Sequence, residues 1–281
     1  MTRLSWIILL QLLIIISSQA NAQDIKKEPS QIPVEDYSWI RDTVYTLMPY
    51  FIEVDLSTQK GYLYSRTEPV KEFGLSSGTS RLEDGIDTKT GLFVIQSKME
   101  KWFSRQFDST LMLNWMGFNW GIGFHALQGS GYYRYLGKKK SSHGCVRLTR
   151  VMAKELYTKI EEGTPVLVHD GHSAVKVAFC DSSDAYAYLR LSDLKYQLKK
   201  RLQELYGGKY FISYNPKLVI GFNNVGHDGL PIGDSRKIMK QQIIPPVWAY
   251  ISSSTPLPLS FETFYKPFEM DLSSMEYKAF Y

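Results

Sequence analysis

Trp6 to Ile16 is almost wholly apolar, broken only by Gln11, and a positive Arg3 precedes it. Ala20-Asn21-Ala22 follows, with small residues flanking a polar one. This order is the layout of a secretory signal peptide, and the apolar run is too short for a comfortable membrane span. Residues 1–22 are therefore expected to be a signal peptide. No cysteine follows the run, so nothing points to a lipid anchor. Residues 23–48 are read as linker and lead-in, with Pro29 and Pro33 in a polar stretch.

Beyond residue 48 the pattern turns to short periods. Phe51-Ile52-Glu53-Val54-Asp55-Leu56 alternates apolar and polar positions, as a half-buried strand does. Turn-like Ser57 to Lys60 and a second apolar stretch, Tyr62-Leu63-Tyr64, predict a hairpin. Val70 to Leu75 and Gly91 to Ile95 are further strands, with turns at Gly74 and Gly78. Phe118 to Phe124 alternates glycine with large residues and reads as one strand ending at His125. Gly129, Gly131 and Gly137 punctuate a loop leading to Ser142. Val151, Met152, Leu156, Tyr157 and Ile160 then recur at helical spacing, from a capping Thr149 to a stop at Gly163. Val166-Leu167-Val168 is one more strand.

Residues 171–281 have a different texture. Leu191, Leu194, Leu198 and Leu205 line one face of a helix that Gly207-Gly208 stops. Short strands are expected at Tyr210 to Tyr214 and Leu218 to Phe222, and Pro245, Pro246, Pro256 and Pro258 break the remainder into loops. This tail looks thin for a core of its own, so it is expected to pack on the preceding domain.

An apolar fraction of 44% is ordinary for a folded chain. The net charge of +5 becomes +4 once Arg3 leaves with the signal peptide, which suits an acidic partner. It is too mild to argue for nucleic acid, and no long basic run or zinc-finger pattern is present. After signal removal no segment reaches membrane-spanning length. The sequence carries no signal for an oligomeric state.

Only two cysteines occur, Cys145 and Cys180. A bridge between them would silence Cys145 as a nucleophile, and two free thiols are expected. Cys145 stands in Ser142-His143-Gly144-Cys145-Val146-Arg147, with His125 upstream. A thiol near imidazoles allows three readings: a nucleophile with a base, a metal site using both histidines, or a buried structural thiol. The crowding of the motif and the exported setting favour the first. His169, His172 and His227 are assigned surface or structural roles. Trp102, Trp115 and Trp120 are candidates for a groove wall or for core, and Lys138 to Lys140 for a solvated loop.

The segment from about Tyr50 to Asp170 resembles the L,D-transpeptidase catalytic domain, also called the YkuD domain. That family carries a histidine, a short gap, Ser/Thr-His-Gly-Cys and then Arg or Asn; here sixteen residues separate His125 from Ser142, and Arg147 fills the last position. Ser76-Ser77-Gly78, Thr88-Lys89-Thr90-Gly91-Leu92-Phe93 and Gly163-Thr164-Pro165-Val166 resemble further family segments. Lys89 departs from the family's proline, and Ala126 stands where glycine or serine is common.

The resemblance implies a mainly β fold with a few helices. It would be a β-sandwich or barrel over 49–170, with a helix after the catalytic cysteine and a C-terminal extension, 171–281, of unassigned role. Cys145 is implied as nucleophile and His125 as its base, with the Ala126 carbonyl orienting the imidazole. The amides of His143, Gly144 and Cys145 are implied as an oxyanion cradle, and Ser142 and Arg147 as substrate-binding residues. The implied partner is a peptidoglycan stem peptide, in the periplasm or cell wall, with no metal or other cofactor. The thiolate would attack the diaminopimelate carbonyl and release D-alanine. Water as acceptor would instead make an L,D-carboxypeptidase or peptidoglycan hydrolase. A wall-binding module without catalysis is a more distant alternative.

Overall fold

A computed structural model describes residues 40–104, 109–210, 212 and 215–238. The expected signal peptide, the Pro29 and Pro33 linker and the loops around Pro245 to Pro258 lie outside the described residues. Thirteen strands and two α-helices are described. In chain order the first are β1 (Asp42–Thr46), β2 (Tyr50–Asp55), β3 (Lys60–Ser65), β4 (Lys71–Gly74) and β5 (Gly91–Val94). Then come β6 (Ser97–Phe103), β7 (Leu111–Asn119), β8 (Ile122–Leu127), β9 (Val146–Arg147), α1 (Arg150–Lys159) and β10 (Pro165–His169). The last are β11 (Val175–Phe179), β12 (Tyr186–Ala187), α2 (Leu191–Tyr206) and β13 (Lys217–Ile220). The fold is mainly β with few helices, as the family resemblance implies.

Two sheets make the layered core. One has the order β4-β3-β2-β10-β5 and the other β6-β7-β8-β9. Alternation decides which side chains meet between them. Ile52, Val54 and Leu63 from the first sheet share one buried cluster with Met116, Phe118, Phe124, Ala126 and Val146 from the second. Helix α1 adds Met152, Ala153 and Leu156 to the same cluster. Thr149 caps this helix, its side chain accepting a hydrogen bond from the Met152 N–H.

A third sheet, in the order β11-β1-β13-β12, is wholly parallel. Its strands flank the β-sandwich in sequence: Asp42 pairs with Val175, so the chain leaves β1, builds the two-sheet core and returns to β11 alongside. β12, α2 and β13 form a β-α-β unit, with Leu194, Leu198, Leu202 and Leu205 buried beneath α2.

Four details differ from the sequence pattern. Phe118 to Phe124 is not one strand but a hairpin, with Asn119 paired to Ile122 across Trp120-Gly121. Leu191 is 41% exposed and does not join the buried stripe of α2. Tyr210 and Ile212 lie in turns rather than a strand. Asp42–Thr46, within the expected lead-in, is a fully buried strand whose partners lie more than a hundred residues downstream.

Candidate active site

Strands β8 and β9 run parallel, with Phe124 opposite Val146 and His125 opposite Arg147. Phe124, Ala126, Val146 and Leu148 all point into the core. By alternation His125 and Arg147 share the opposite face, and the turn just before β9 brings Cys145 beside them. All three line one cavity of about 430 Å³, together with Ser142, His143, Asp84 and the hairpin tip Asn119 to Ile122. The core register and the turn together thus place thiol, imidazole and guanidinium around one space.

His125 is almost fully buried at 3% exposure. Its Nδ1 lies 3.2 Å from the Ala126 carbonyl oxygen. A carbonyl only accepts, so the proton sits on Nδ1 and Nε2 keeps its lone pair. The Trp115 ring packs 6.0 Å from the imidazole, and Trp102 stacks on Trp115. Burial pushes the His125 pKa down to about 4, outweighing the Ala126 carbonyl, and nearby Arg147 pushes the same way.

Cys145 is free and half-buried. Burial raises its thiol above the ordinary range, while the Gly123 backbone and Arg147 favour the ionised form. Its Sγ lies 3.7 Å from the Gly121 carbonyl oxygen, toward which the S–H donates. The described pair is therefore a neutral thiol beside a neutral imidazole.

The turn that presents Cys145 is held through its carbonyls. The Ser142 carbonyl accepts from Thr79 N–H at 2.9 Å, the His143 carbonyl from Ile86 N–H at 3.3 Å and the Gly144 carbonyl from Thr88 Oγ1 at 2.6 Å. Ser142 Oγ donates to the Cys145 carbonyl and accepts from Gly144 N–H. Gly144 has φ +143°, and a Cβ there would lie 2.6 Å from Ile122 Cδ1. Gly78 packs as closely: its Cβ would meet Gly144 Cα at 2.4 Å.

The expected site residues thus gather on one turn and two strands. Ser142 and Gly144 spend part of their hydrogen bonding within the turn. Arg147 Nη1 donates to the Ser141 carbonyl at 2.9 Å, and its buried Nε has no hydrogen-bond partner among the described residues. Trp115 packs on His125, and Trp120 stands at the rim, 66% exposed. His169 has a structural role, held by Glu53 at 3.0 Å and by the Gly171 N–H. Thr88 was legible only as part of a family segment, although its hydroxyl joins Gly78 N–H to the Gly144 carbonyl. His227, read as surface or structural, stacks on Trp120 at the cavity rim. Among the described residues no three His, Cys, Asp or Glu side chains cluster as metal ligands would. No described helix is long and apolar enough to cross a membrane.

Residues 49–168 match the model of the L,D-transpeptidase catalytic domain, YkuD. The resemblance read from the motifs is thereby shown: this segment carries that domain. YciB of Bacillus subtilis, a protein named as an L,D-transpeptidase, is 26% identical over 127 residues, 42% of this chain and 64% of that protein. The chain thus spans a little under two thirds of that relative. Among solved structures, an L,D-transpeptidase from Mycobacterium smegmatis is 19% identical with a TM-score of 0.38, covering 43% of this chain and 58% of that one. Another, from Stackebrandtia nassauensis, is 22% identical with a TM-score of 0.38, covering 48% of this chain and 60% of that one.

Proposed function

We propose that this protein is an exported cysteine L,D-transpeptidase that remodels or crosslinks peptidoglycan. The observation that carries the reading is that His125 on β8 and Cys145, in the turn just before β9, line one cavity. The match of residues 49–168 to the catalytic-domain model supports it.

In this reading the donor is a stem peptide ending in D-alanine. As Cys145 Sγ bonds to the carbonyl carbon on the L-centre of diaminopimelate, its proton passes to His125 Nε2. The neutral resting pair means that proton transfer accompanies attack, as general base catalysis requires. The Ala126 carbonyl holds the imidazole in the tautomer with a free Nε2. The developing oxyanion is received by the Cys145 N–H, since the Gly144 N–H is already donated to Ser142 Oγ. Thr88 pins the Gly144 carbonyl, and in a trans peptide the following Cys145 N–H points the opposite way. One such donor lowers the barrier by about 3 kcal/mol in well-studied hydrolases.

Collapse breaks the peptide bond, and the proton on His125 leaves with the D-alanine amine. An acceptor amine then attacks the thioester, gives its proton to His125 and restores the thiol. Arg147 supplies positive charge for a substrate carboxylate. Residues 1–22 act as signal peptide, 49–170 as catalytic domain and 171–281 as an extension, and the mature protein works in the periplasm or cell wall.

The test is to incubate purified peptidoglycan with the mature protein and weigh the released fragments. New crosslinked dimers are expected. Tripeptide products alone would contradict transfer to an amine and favour water as the acceptor.

A further inference from the structure

The C-terminal segment packs against Asn119 and Trp120, which line the cavity. Leu92 and Leu230 exchange backbone hydrogen bonds of 3.0 and 2.8 Å, which ties the segment to β5. Gln96 Nε2 donates to the Val225 carbonyl, and Asn119 Nδ2 donates to the His227 carbonyl at 2.6 Å. Lys89, at the position where the catalytic-domain family usually has proline, donates to the Asp228 carbonyl at 3.3 Å. Trp120 Nε1–H donates to Asp228 Oδ1 at 3.0 Å, and the His227 ring stacks on the indole at 4.8 Å.

The contacts of His227 and Asp228 with Asn119 and Trp120 fall on the hairpin tip between β7 and β8. Trp120 occupies the first place of a two-residue turn with φ +48°, a conformation that suits glycine and persists only where surroundings hold it. The next residue is Gly121, whose carbonyl faces Cys145 Sγ. A carbonyl there accepts from the protonated thiol and repels the thiolate.

We propose that Asp228 is a positioning residue for Cys145: by holding the Trp120 indole it fixes the Gly121 carbonyl against the thiol. The inference rests on the nucleophile assigned above, but not on the identity of the substrate. The ionisable groups lining the same cavity are His125 from β8, Arg147 from β9, and Asp84 and His143 from loops. None of them is altered by changing Asp228.

The test uses the full mature chain and follows alkylation of Cys145 by iodoacetamide against pH, with peptide mapping to separate Cys180. For Asp228→Ala the tip loosens. The alkylation midpoint then moves to lower pH, and the rate at pH 7 rises at least about threefold. Acylation by a carbapenem-type β-lactam, which needs the shaped wall, slows in the same variant. Asp228→Asn keeps an oxygen acceptor and stays within about twofold of the parent in both assays. If Asp228→Ala is not folded, Trp120→Phe removes the same bond from the other side and must give the same alkylation shift. An unchanged alkylation profile in Asp228→Ala overturns the proposal, and so does an Asp228→Asn profile that matches it. Failure to process peptidoglycan with the alkylation shift intact would count against the substrate and leave this inference standing.

Discussion

At the scale of single residues, the proposed chemistry turns on two opposed displacements from ordinary acidity. Burial keeps His125 neutral, with its pKa down at about 4, and keeps the Cys145 thiol protonated above the ordinary range. In the proposed reaction the imidazole must be neutral to accept the thiol proton. The acid limb of Cys145 acylation by a carbapenem is therefore expected near pH 4, with most of the rate retained at pH 5.5. A midpoint near 6.5, the value of a solvated histidine, would contradict this account. Folding is linked to the same group. Between about pH 6.5 and 4 the unfolded chain binds a proton at this position that the folded chain refuses. Stability is thus fully present above about 6.5 and falls as pH drops through that window, by roughly 3 kcal/mol from His125 alone. That these two residues line one cavity was legible in the sequence through the Ser-His-Gly-Cys spacing. Their electrostatics were not, because burial depends on Trp115 and on sheet packing that residue spacing does not record.

At the scale of elements, α1 follows Cys145 closely and packs into the core under β7 and β8. Its start was readable from Thr149 and the apolar spacing, and the cap hydrogen bond to Met152 N–H agrees. Thr149→Ala leaves that N–H without its side-chain acceptor and should cost about 1 kcal/mol. In a fold of this size that corresponds to a melting point roughly 2–4 °C lower, measured by circular dichroism, and an unchanged melting point would contradict the cap's role. The β7–β8 hairpin was less legible. Its two-residue turn holds Trp120 at φ +48° rather than a turn-favouring pair such as Asn-Gly, so the alternating pattern ran on through the turn as one strand. β6 escaped notice for another reason: most of its residues are exposed or half-exposed, so no apolar alternation marks it.

At the scale of the whole molecule, the sandwich lies between strands that pair with one another. β1 and β11 flank it in sequence, and Arg66 donates to the Thr46 and Cys180 carbonyls just at and beyond their C-terminal ends. No local pattern announces such a pairing, because its cause is contact between segments far apart in the chain. The third sheet holds a buried ion pair: Arg201 Nη1 lies 3.3 Å from Asp42 Oδ1, and Tyr210 donates to the same oxygen at 3.0 Å. Burial raises the Asp42 pKa, with Arg201 opposing it. Arg201→Met leaves Asp42 buried without its cation, at a cost of about 3–5 kcal/mol. Thermal unfolding should then fall by roughly 6–20 °C, whereas a fall of less than about 2 °C would show that the pair matters little.

The central claim is that Cys145, served by His125, is a nucleophile open to acyl donors. Intact-mass measurement after incubation with a carbapenem tests it most directly. One adduct per chain is expected in the parent protein, mapped to the peptide holding Cys145 and absent from a folded Cys145→Ala variant. An unmodified parent, or an adduct that persists in Cys145→Ala, would contradict the account.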